Sequence, residues 1–291
     1  MSEIRGPKRG VSVYSYGELY INMTLEDVMM DMYDMGASGI EILANGHIDG
    51  YPLLTDEWLE KWTALTEKYN IVPAEYGHWI EARMYQNKPD DQEEVFAILK
   101  RDLEHAGKLK FPVLRTKLPV TDETLLPVPY WRELIKRALP IAEENNVIMC
   151  PEIHLPTRLK SKMLDDYVEF IEKEKTKNFG INIDFGTFQN NFSNMKFRMP
   201  GLPEDGSPGS YPEDMIPLLP YVHCCHAKFN YMDENFNETT IPYPEILTIL
   251  KDHNWDGYMV SEYEGEHKTE PGFVSEQLRR QHIMMKNILG Y

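Results

Sequence analysis

Residues 147–154 read Val147-Ile148-Met149-Cys150-Pro151-Glu152-Ile153-His154. This short apolar run is typical of a buried β-strand, and it ends in a carboxylate and an imidazole. A helical pattern from about residue 130 to 144 precedes the run, and a second from about residue 164 to 172 follows it. A helix followed by an apolar strand with a polar end is the repeating unit of an α/β protein, so this order predicts a parallel sheet.

The same unit recurs along the whole chain. The predicted strands lie at residues 11–14, 39–43, 71–76, 112–116, 147–152, 180–184, 221–226 and 257–262. Helices are predicted at about residues 25–35, 56–69, 90–106, 130–144, 164–172, near 214, 243–253 and 272–289. Eight strand–helix units in 291 residues predict one (β/α)8 TIM barrel, a single domain over residues 1–291. A doubly wound sheet is the alternative, but no Gly-x-Gly-x-x-Gly follows the first strand.

The overall charge excludes one class of function. The chain has 30 Lys and Arg against 47 Asp and Glu, a formal net charge of −17. Such a surface repels a phosphate backbone, so we expect no nucleic-acid partner. No apolar run reaches the roughly 20 residues that span a bilayer, and residues 1–9 lack the apolar region of a secretory signal. Three cysteines do not make a disulfide framework, so we expect the reducing cytoplasm.

One segment interrupts the alternation. Residues 192–220 contain Pro200, Gly201, Pro203, Gly206, Pro208, Gly209, Pro212, Pro217 and Pro220. This composition is unfavourable inside a helix or strand. The segment follows the sixth strand, and active sites of TIM barrels lie at the strands' C-terminal ends. We therefore expect a lid or an interface loop there, with a mobile insertion as the alternative.

Four of the strands end in groups that bind metals. They are Glu152, Asp184, His226 and Glu262, on predicted strands five to eight. Three carboxylates converging at one barrel mouth would repel one another unless a cation lay among them. Oxygen-rich ligation with one imidazole suits Mn²⁺, and also Mg²⁺ or Co²⁺. We predict one divalent metal ion at this position.

Strand alternation separates inward from outward side chains, because residues two apart share a face. It directs Glu152 and His154 inward together. On the seventh strand it directs Cys224, His226 and Lys228 inward, and His223 and Cys225 toward the helices. The adjacent cysteines are therefore not a metal pair, and we expect them to be small buried residues.

Several of these segments together resemble one family. They are Gly39-Ile40-Glu41-Ile42, Pro151-Glu152-Ile153-His154, Asn182-Ile183-Asp184, His226-Ala227-Lys228 and Trp255-Asp256-Gly257-Tyr258, which leads into Glu262. Over nearly the whole chain the sequence resembles the xylose isomerase-like barrels, which include sugar epimerases, inosose dehydratases and a type of DNA repair endonuclease. The resemblance implies one divalent ion bound by the matching Glu, Asp, His and Glu. Phe229 departs from the family, which commonly has Asp after the lysine.

A narrower resemblance concerns three segments. Ile42-Leu43-Ala44-Asn45-Gly46-His47, Tyr76-Gly77-His78-Trp79 and Glu152-Ile153-His154 are similar to the larger subunit of bacterial C-glycoside deglycosidases. This similarity implies a lyase that takes a 3-oxo-glucoside, removes a proton next to the ketone and eliminates the aglycone. It also implies a smaller β-rich partner subunit and hence an oligomer.

The resemblance also implies roles for individual side chains. His154 is a candidate base or acid for the proton next to the ketone, and a purely structural histidine is the alternative. In an epimerase, Glu152 and Glu262 would move the proton from opposite faces of the sugar. Candidate substrate contacts are His47, His78, Arg115, Lys117 and Lys228, and surface salt bridges are the alternative for the charged ones. Tyr14 and Trp79 are candidates for packing on a sugar face.

Three other functions are compatible with this kind of barrel, and two of them remain as alternatives. A metal-dependent ketose isomerase or epimerase, or an inosose dehydratase-like enzyme, would use the same four metal ligands. A non-catalytic sugar-binding barrel would keep the fold but has no need of all four. A nuclease of this fold requires more His and Asp ligands and a surface that tolerates DNA, which the charge of −17 excludes.

Overall fold

The computed structural model describes residues 6–21, 23–78, 91–116, 118, 126–189 and 208–291, with only the backbone described for residues 18–21. The strands are β1 Lys8–Ser12, β2 Gly39–Leu43, β3 Val72–His78, β4 Val113–Thr116, β5 Ile148–Met149, β6 Glu152–Ile153, β7 Ile181–Asp184, β8 Val222–Phe229 and β9 Tyr258–Tyr263. The α-helices are α1 Leu25–Met35, α2 Ala44–His47, α3 Asp56–Tyr69, α4 Gln92–Lys108, α5 Trp131–Glu144, α6 Lys162–Glu174, α7 Tyr243–Asp252 and α8 Phe273–Leu289.

The strands form one parallel sheet in the order β5-β4-β3-β2-β1-β9-β8-β7-β6. The sheet closes at Met149, which pairs with Leu114 of β4 on one side and forms a parallel bridge with Phe179 on the other. β5 and β6 are two parts of the predicted fifth strand, separated by Cys150 and Pro151. Proline has no N–H for the ladder, so the strand is interrupted there. The predicted TIM barrel is confirmed, with its fifth strand in two pieces.

Local sequence signals account for the first helix. The Thr24 side chain accepts a hydrogen bond from the Asp27 N–H, and Asp27 in turn accepts from the Thr24 N–H. This capping box satisfies two backbone donors that the first turn leaves free. Gly36, with φ of 72°, ends the helix in the left-handed conformation, which glycine adopts without strain. The predicted start and end are both confirmed.

Two predicted boundaries differ from the structure. Val13 and Tyr14, predicted as the end of the first strand, begin a 3-10 helix over Val13–Ile21. The second is the end of the segment predicted as irregular over 192–220, because the helix predicted near residue 214 is present as a 3-10 helix over Pro212–Tyr221, which contains Pro217 and Pro220. Proline has the backbone φ of a helix, and its missing N–H matters less in a short 3-10 segment. Residues 190–207, which hold most of the predicted lid, lie outside the described residues.

The barrel wall separates two apolar clusters, one inside the barrel and one between the strands and the helices. The face of the strand on which a side chain lies determines the cluster to which it belongs. The inner cluster consists of Ala74, Val113, Cys150, Cys224 and Val260. Cys225 instead belongs to the large cluster between the strands and the helices. The two cysteines are therefore buried on opposite faces of β8, as predicted.

Across the described ranges, no helix combines the length and apolar composition that a membrane crossing requires. The cytoplasmic location stays a prediction.

Candidate metal centre and active site

Three strand ends bring their acidic and imidazole groups together. Nδ1 of His226 in β8 lies 3.3 Å from Oε1 of Glu152 in β6 and 3.4 Å from Oε2 of Glu262 in β9. The imidazole is fully buried, and the two carboxylate side chains are 10% and 8% exposed. Three of the four predicted metal ligands thus form one group of donor atoms within 4.8 Å of one another.

The other ring nitrogen of His226 faces a second pair of carboxylates. Nε2 lies 3.0 Å from Oε2 of Glu75 in β3 and 3.4 Å from Oε1 of Glu41 in β2. Both glutamates are completely buried. Their carboxylates and the His226 imidazole form a second group of donor atoms close enough to hold an ion. The distances alone do not decide which side of the imidazole binds a metal.

The hydrogen-bond partners of the four glutamates distinguish the two sides of the His226 imidazole. Glu75 accepts from the Asn182 amide at 2.8 Å, and Glu41 accepts from Arg115 Nε at 2.8 Å. Cys224 Sγ lies 3.5 Å from Glu75 but 3.2 Å from the Tyr258 carbonyl oxygen, which is the nearer acceptor for its one proton. Although Glu41 Oε2 has no partner among the described residues, the Arg115 guanidinium supplies positive charge on this side. The Glu41 and Glu75 side is therefore the less favourable of the two for a cation.

On the side with Glu152 and Glu262, Arg115 Nη1 donates to Glu152 Oε2 at 2.7 Å, but no donor in the described chain reaches Glu262 Oε2. Within the described chain, His226 Nδ1 and Glu262 Oε2 are buried atoms without a hydrogen-bond partner. Burial opposes the charged imidazole, but the surrounding carboxylates raise the pKa of His226 well above its usual value. A positive charge is thus favoured at Nδ1, from a proton or from a metal ion. Unpaired buried polar atoms of this kind require an explanation, and an ion provides it.

The spacing of these atoms also fits an ion. Metal–ligand bonds to His and carboxylate are about 2.0–2.2 Å long, so two ligands at angles of about 90–110° lie about 2.8–3.6 Å apart. The observed separations of 3.3 Å and 3.4 Å fall in this range. The residues therefore fit a divalent cation.

Asp184, the fourth predicted ligand, ends β7 and is buried beside this group. Its Oδ1 accepts a hydrogen bond of 2.6 Å from the Gly186 N–H, and its Oδ2 lies 3.5 Å from Nζ of Lys228. In the described part of the chain it does not join the group within 4.8 Å. Burial, aided by the charges of Glu262 and Glu152 and opposed by Lys228, raises the pKa of Asp184 to about 6. A cation among these carboxylates would reverse that shift. Its role as a ligand stays a prediction.

Arg115, a predicted substrate contact, is buried and held by two carboxylates. Its Nε donates to Glu41 at 2.8 Å, and its Nη1 donates to Oε2 of Glu152 at 2.7 Å. A Cβ at Gly77 would collide with the Leu43 side chain and lie 3.0 Å from the Ile42 carbonyl oxygen, with Arg115 Nη2 at 3.3 Å, so the glycine permits close packing beside the guanidinium. These contacts favour a role in orienting Glu152 over direct contact with substrate.

His154 follows β6 and lines the cleft beside the carboxylates. Its Nδ1 lies 2.6 Å from the Leu155 carbonyl oxygen, which only accepts hydrogen bonds. Nδ1 must therefore carry the proton, and in the neutral ring Nε2 keeps its lone pair. A neutral imidazole with one free lone pair is the form required of a base.

The cleft has a volume of about 790 Å³ and is lined mostly by polar and charged residues. Asp184 and Lys228 belong to its lining, as does the segment after β9, including Glu264. Lys228 Nζ lies 3.8 Å from Glu264, which also contributes to raising the pKa of Tyr14 to about 12, after the larger effect of burial. Lys228 thus lines the cleft and Tyr14 lies near Glu264, and their contact with a sugar stays a prediction.

The remaining predicted contacts are not brought to this cluster. His47, in α2, accepts a hydrogen bond from the Leu43 N–H at 2.8 Å, and burial lowers its pKa to about 4 against the effect of Glu41. His78 is buried on the helix side of β3, where its Nδ1 lies 2.5 Å from Asp102 of α4. Lys117 and Trp79 lie outside the described residues.

Sequence reasoning missed the two buried glutamates behind His226. Glu41 lies within the predicted second strand and Glu75 within the predicted third. Ile40 and Ile42 pack toward the helices, so alternation directs Glu41 inward. A register shift between Ile40 and Glu41 in the pairing of β2 with β3 interrupts the alternation of β3, so that Ala74 and Glu75 both face the barrel interior. A charged residue within a strand that must be buried is the signal that would have found them.

The fold and this cluster define a class of protein: a TIM barrel with a candidate metal site at the C-terminal ends of its strands. Residues 31–285 match the xylose isomerase-like TIM barrel family, and the chain belongs to it. The predicted family resemblance is confirmed.

The particular relatives are more specific. The 3'-dehydrocarminate deglycosidase alpha subunit of Microbacterium sp is 23% identical, and the alignment covers 100% of this chain and 97% of the relative. The C-glycoside deglycosidase alpha subunit of Arthrobacter globiformis is 22% identical, with 98% and 93% covered. The structure of D-psicose 3-epimerase with D-tagatose from Clostridium cellulolyticum H10 has a TM-score of 0.69 at 16% identity, with 97% and 99% covered, which shows the shared fold.

Proposed function

We propose that this chain is the larger subunit of a divalent metal-dependent lyase that cleaves the C-glycosidic bond of 3-oxo-glucosides. The observation that carries the proposal is the convergence of Glu152, His226 and Glu262, with two unpaired buried atoms, beside a cleft lined by His154. The two deglycosidase alpha subunits, aligned over nearly their whole length, support the choice of substrate. The single domain over residues 1–291 is part of the proposal.

The metal ion would be held by Glu152, His226 and Glu262, with Asp184 as the fourth ligand, and Mn²⁺ is the ion that we expect. When bound, the ion supplies Lewis acidity toward the ketone oxygen of the sugar, which is worth several kcal/mol of charge stabilisation. The carboxylates of Glu41, Glu75, Asp184 and Glu262 are buried and that of Glu152 is 10% exposed, and these five groups face two cationic side chains, Arg115 and Lys228. A divalent cation reduces this excess of negative charge.

His154 is the proposed base. The Leu155 carbonyl accepts a hydrogen bond from its Nδ1–H, so the lone pair of Nε2 can accept a proton. The imidazole would remove the proton from the carbon between the ketone and the anomeric carbon. The electron pair then forms a carbon–carbon double bond as the bond to the aglycone breaks, and the departing aglycone takes up a proton.

Lys228 is proposed to hold the sugar in the cleft. Its ammonium group lies between Asp184 and Glu264, and it is 25% exposed toward the cleft. Burial disfavours the charge, but the neighbouring carboxylates raise the pKa of Lys228 above its usual value. The side chain therefore stays charged at neutral pH and donates hydrogen bonds to sugar hydroxyls.

A second subunit is part of the proposal. Both relatives are named alpha subunits, which supports a partner, and we expect a smaller β-rich chain. Exposed aromatic side chains occur in the segments that follow β1, β7 and β8, at Tyr14, Tyr211, Tyr231 and Phe236. Such residues favour protein contacts at these segments.

The test is product analysis with a 3-oxo-C-glucoside, using this chain together with a co-expressed small β-rich subunit. Release of the free aglycone, lost in EDTA and restored by Mn²⁺, would support the lyase. A change in sugar configuration without aglycone release would instead identify an epimerase. Absence of both reactions in the Mn²⁺-loaded complex would reject the proposal.

His154→Gln tests the base in the same assay. It should keep the metal and lose kcat by about 10²–10⁴, the usual contribution of a positioned base. His253→Gln is a matched control, because His253 also places Nδ1 against a backbone carbonyl, at 2.9 Å, but on the exposed end of α7. Exchange of the substrate proton with deuterated solvent at the wild-type rate in His154→Gln would show that another group is the base.

A further inference from the structure

The buried side of His226 carries an inference that goes beyond the proposed function but rests on its metal site. We infer that Glu41, Glu75, Arg115 and Asn182, named here the anchoring layer, fix the tautomer of His226 and the orientation of Glu152. None of these side chains was predicted to act on the metal site, and Arg115 was predicted to bind substrate. They are positioning residues, because they act through His226 and Glu152.

Glu75 determines which ring nitrogen carries the proton. The closest carboxylate oxygen to Nε2 is Oε2 of Glu75, at 3.0 Å, and an ionised carboxylate only accepts hydrogen bonds. Nε2 of a metal-bound His226 must therefore be the N–H donor. This leaves the lone pair of Nδ1 directed at the gap between Glu152 and Glu262, where metal ligation requires it.

Glu75 is itself held in place. The Asn182 amide of β7 donates to its Oε1 at 2.8 Å, and its Oε2 lies 3.0 Å from Nε2 of His226 and 3.5 Å from Sγ of Cys224, both in β8. Glu75, Asn182 and His226 are each fully buried. Because these contacts come from β7 and β8, the carboxylate cannot rotate without breaking bonds to two other strands. The imidazole plane is fixed as a result.

Arg115 extends the same layer to a metal carboxylate. Its guanidinium binds Glu41 through Nε and Glu152 Oε2 through Nη1, at 2.8 Å and 2.7 Å. Because Oε2 of Glu152 is bonded to Arg115, Oε1 is the oxygen that faces His226 Nδ1, at 3.3 Å. One buried cation thus selects which oxygen of Glu152 is offered to the metal.

The first test is the affinity for Mn²⁺, measured by the EPR signal of free Mn²⁺ in a titration without substrate. Loss of a carboxylate behind a metal-binding histidine lowers metal affinity by about 10–100-fold. We expect Glu75→Leu to show the larger loss and Glu75→Gln, which still accepts a hydrogen bond, a smaller one. Asp102→Asn is the matched control, since it also removes a buried carboxylate bonded to a histidine, His78, outside the site. It should leave the affinity unchanged.

A second measurement does not depend on any variant. In the wild-type protein labelled with ¹⁵N-histidine and loaded with ¹¹³Cd²⁺, NMR should show cadmium coupled to Nδ1 of His226 and a proton on Nε2. Coupling of cadmium to Nε2 would overturn the inference, even if Glu75→Leu fails to fold.

The outcomes also separate the inference from the proposed function. A wild-type protein that binds no Mn²⁺ would reject the metal site, and the inference with it. A wild type that binds Mn²⁺ while Glu75→Leu binds it equally well would reject the anchoring layer alone.

Discussion

Replacement of Arg115 by methionine distinguishes an orienting role from the substrate contact that the sequence predicted. The side chain is 6% exposed and bonds two carboxylates, of which Glu41 is fully buried. Burial raises the pKa of Glu41, but Arg115 and His226 outweigh it and lower the value to about 2. Removing one partner of a buried ion pair typically costs about 3–5 kcal/mol, because the other charge remains buried without compensation. The Glu152 side chain keeps 10% of its surface exposed and that of Glu41 none, so we assign this cost mainly to Glu41.

The assay is urea unfolding in EDTA, where metal binding does not add to stability. We expect the free energy of unfolding of Arg115→Met to fall by about 3–5 kcal/mol. The control is Arg137→Met, which removes an exposed guanidinium paired with Glu93 on the surface and should change stability far less. A loss below about 1 kcal/mol for Arg115→Met, with a raised KM for the sugar, would refute the orienting role and favour the substrate contact.

Three further predictions concern other parts of the molecule. Burial and the charge of Arg9 lower the pKa of His282 to about 3. As the pH falls below 6.5, the unfolded chain therefore binds a proton at this histidine and the folded chain does not. Stability should therefore fall by about 2 kcal/mol between pH 7 and pH 5, and His282→Gln should flatten this slope in urea titrations; an equal slope in both proteins would contradict it. Lys228→Gln should lower kcat/KM for the 3-oxo-glucoside about 10–100-fold at unchanged Mn²⁺ content, whereas loss of the metal would show a different role. Gly186→Ala should give a similar kinetic defect, because its Cβ would lie 2.8 Å from Cδ of Lys228, and unchanged kinetics would show that Lys228 moves aside freely.

The alternation of strands and helices was predictable because each element carries its own pattern of apolar residues. α3 begins and ends at the predicted residues, Asp56 and Tyr69. Strand parity also placed His226 and Cys224 in the barrel interior and Cys225 in the helix layer. These are local properties, and local sequence is sufficient for them.

Properties that depend on other strands were not predictable. The pairing of Glu75 with His226 joins positions 151 residues apart, and it depends on a register shift that strict alternation does not include. Arg115 was predicted as a substrate contact, but the sequence did not show that Glu41 and Glu152 already bind the guanidinium. Similarly, His78 was expected at the mouth, but Asp102 of α4 binds it on the helix side.

The central claim is that a single divalent ion binds between Glu152, His226 and Glu262. Anomalous diffraction from crystals grown with Mn²⁺ tests it most directly, because it locates the ion without reference to activity. We predict one peak in contact with Nδ1 of His226 and with the Glu152 and Glu262 carboxylates. A peak on the Nε2 side, between Glu41 and Glu75, or no peak at all in Mn²⁺-saturated crystals, would contradict the account.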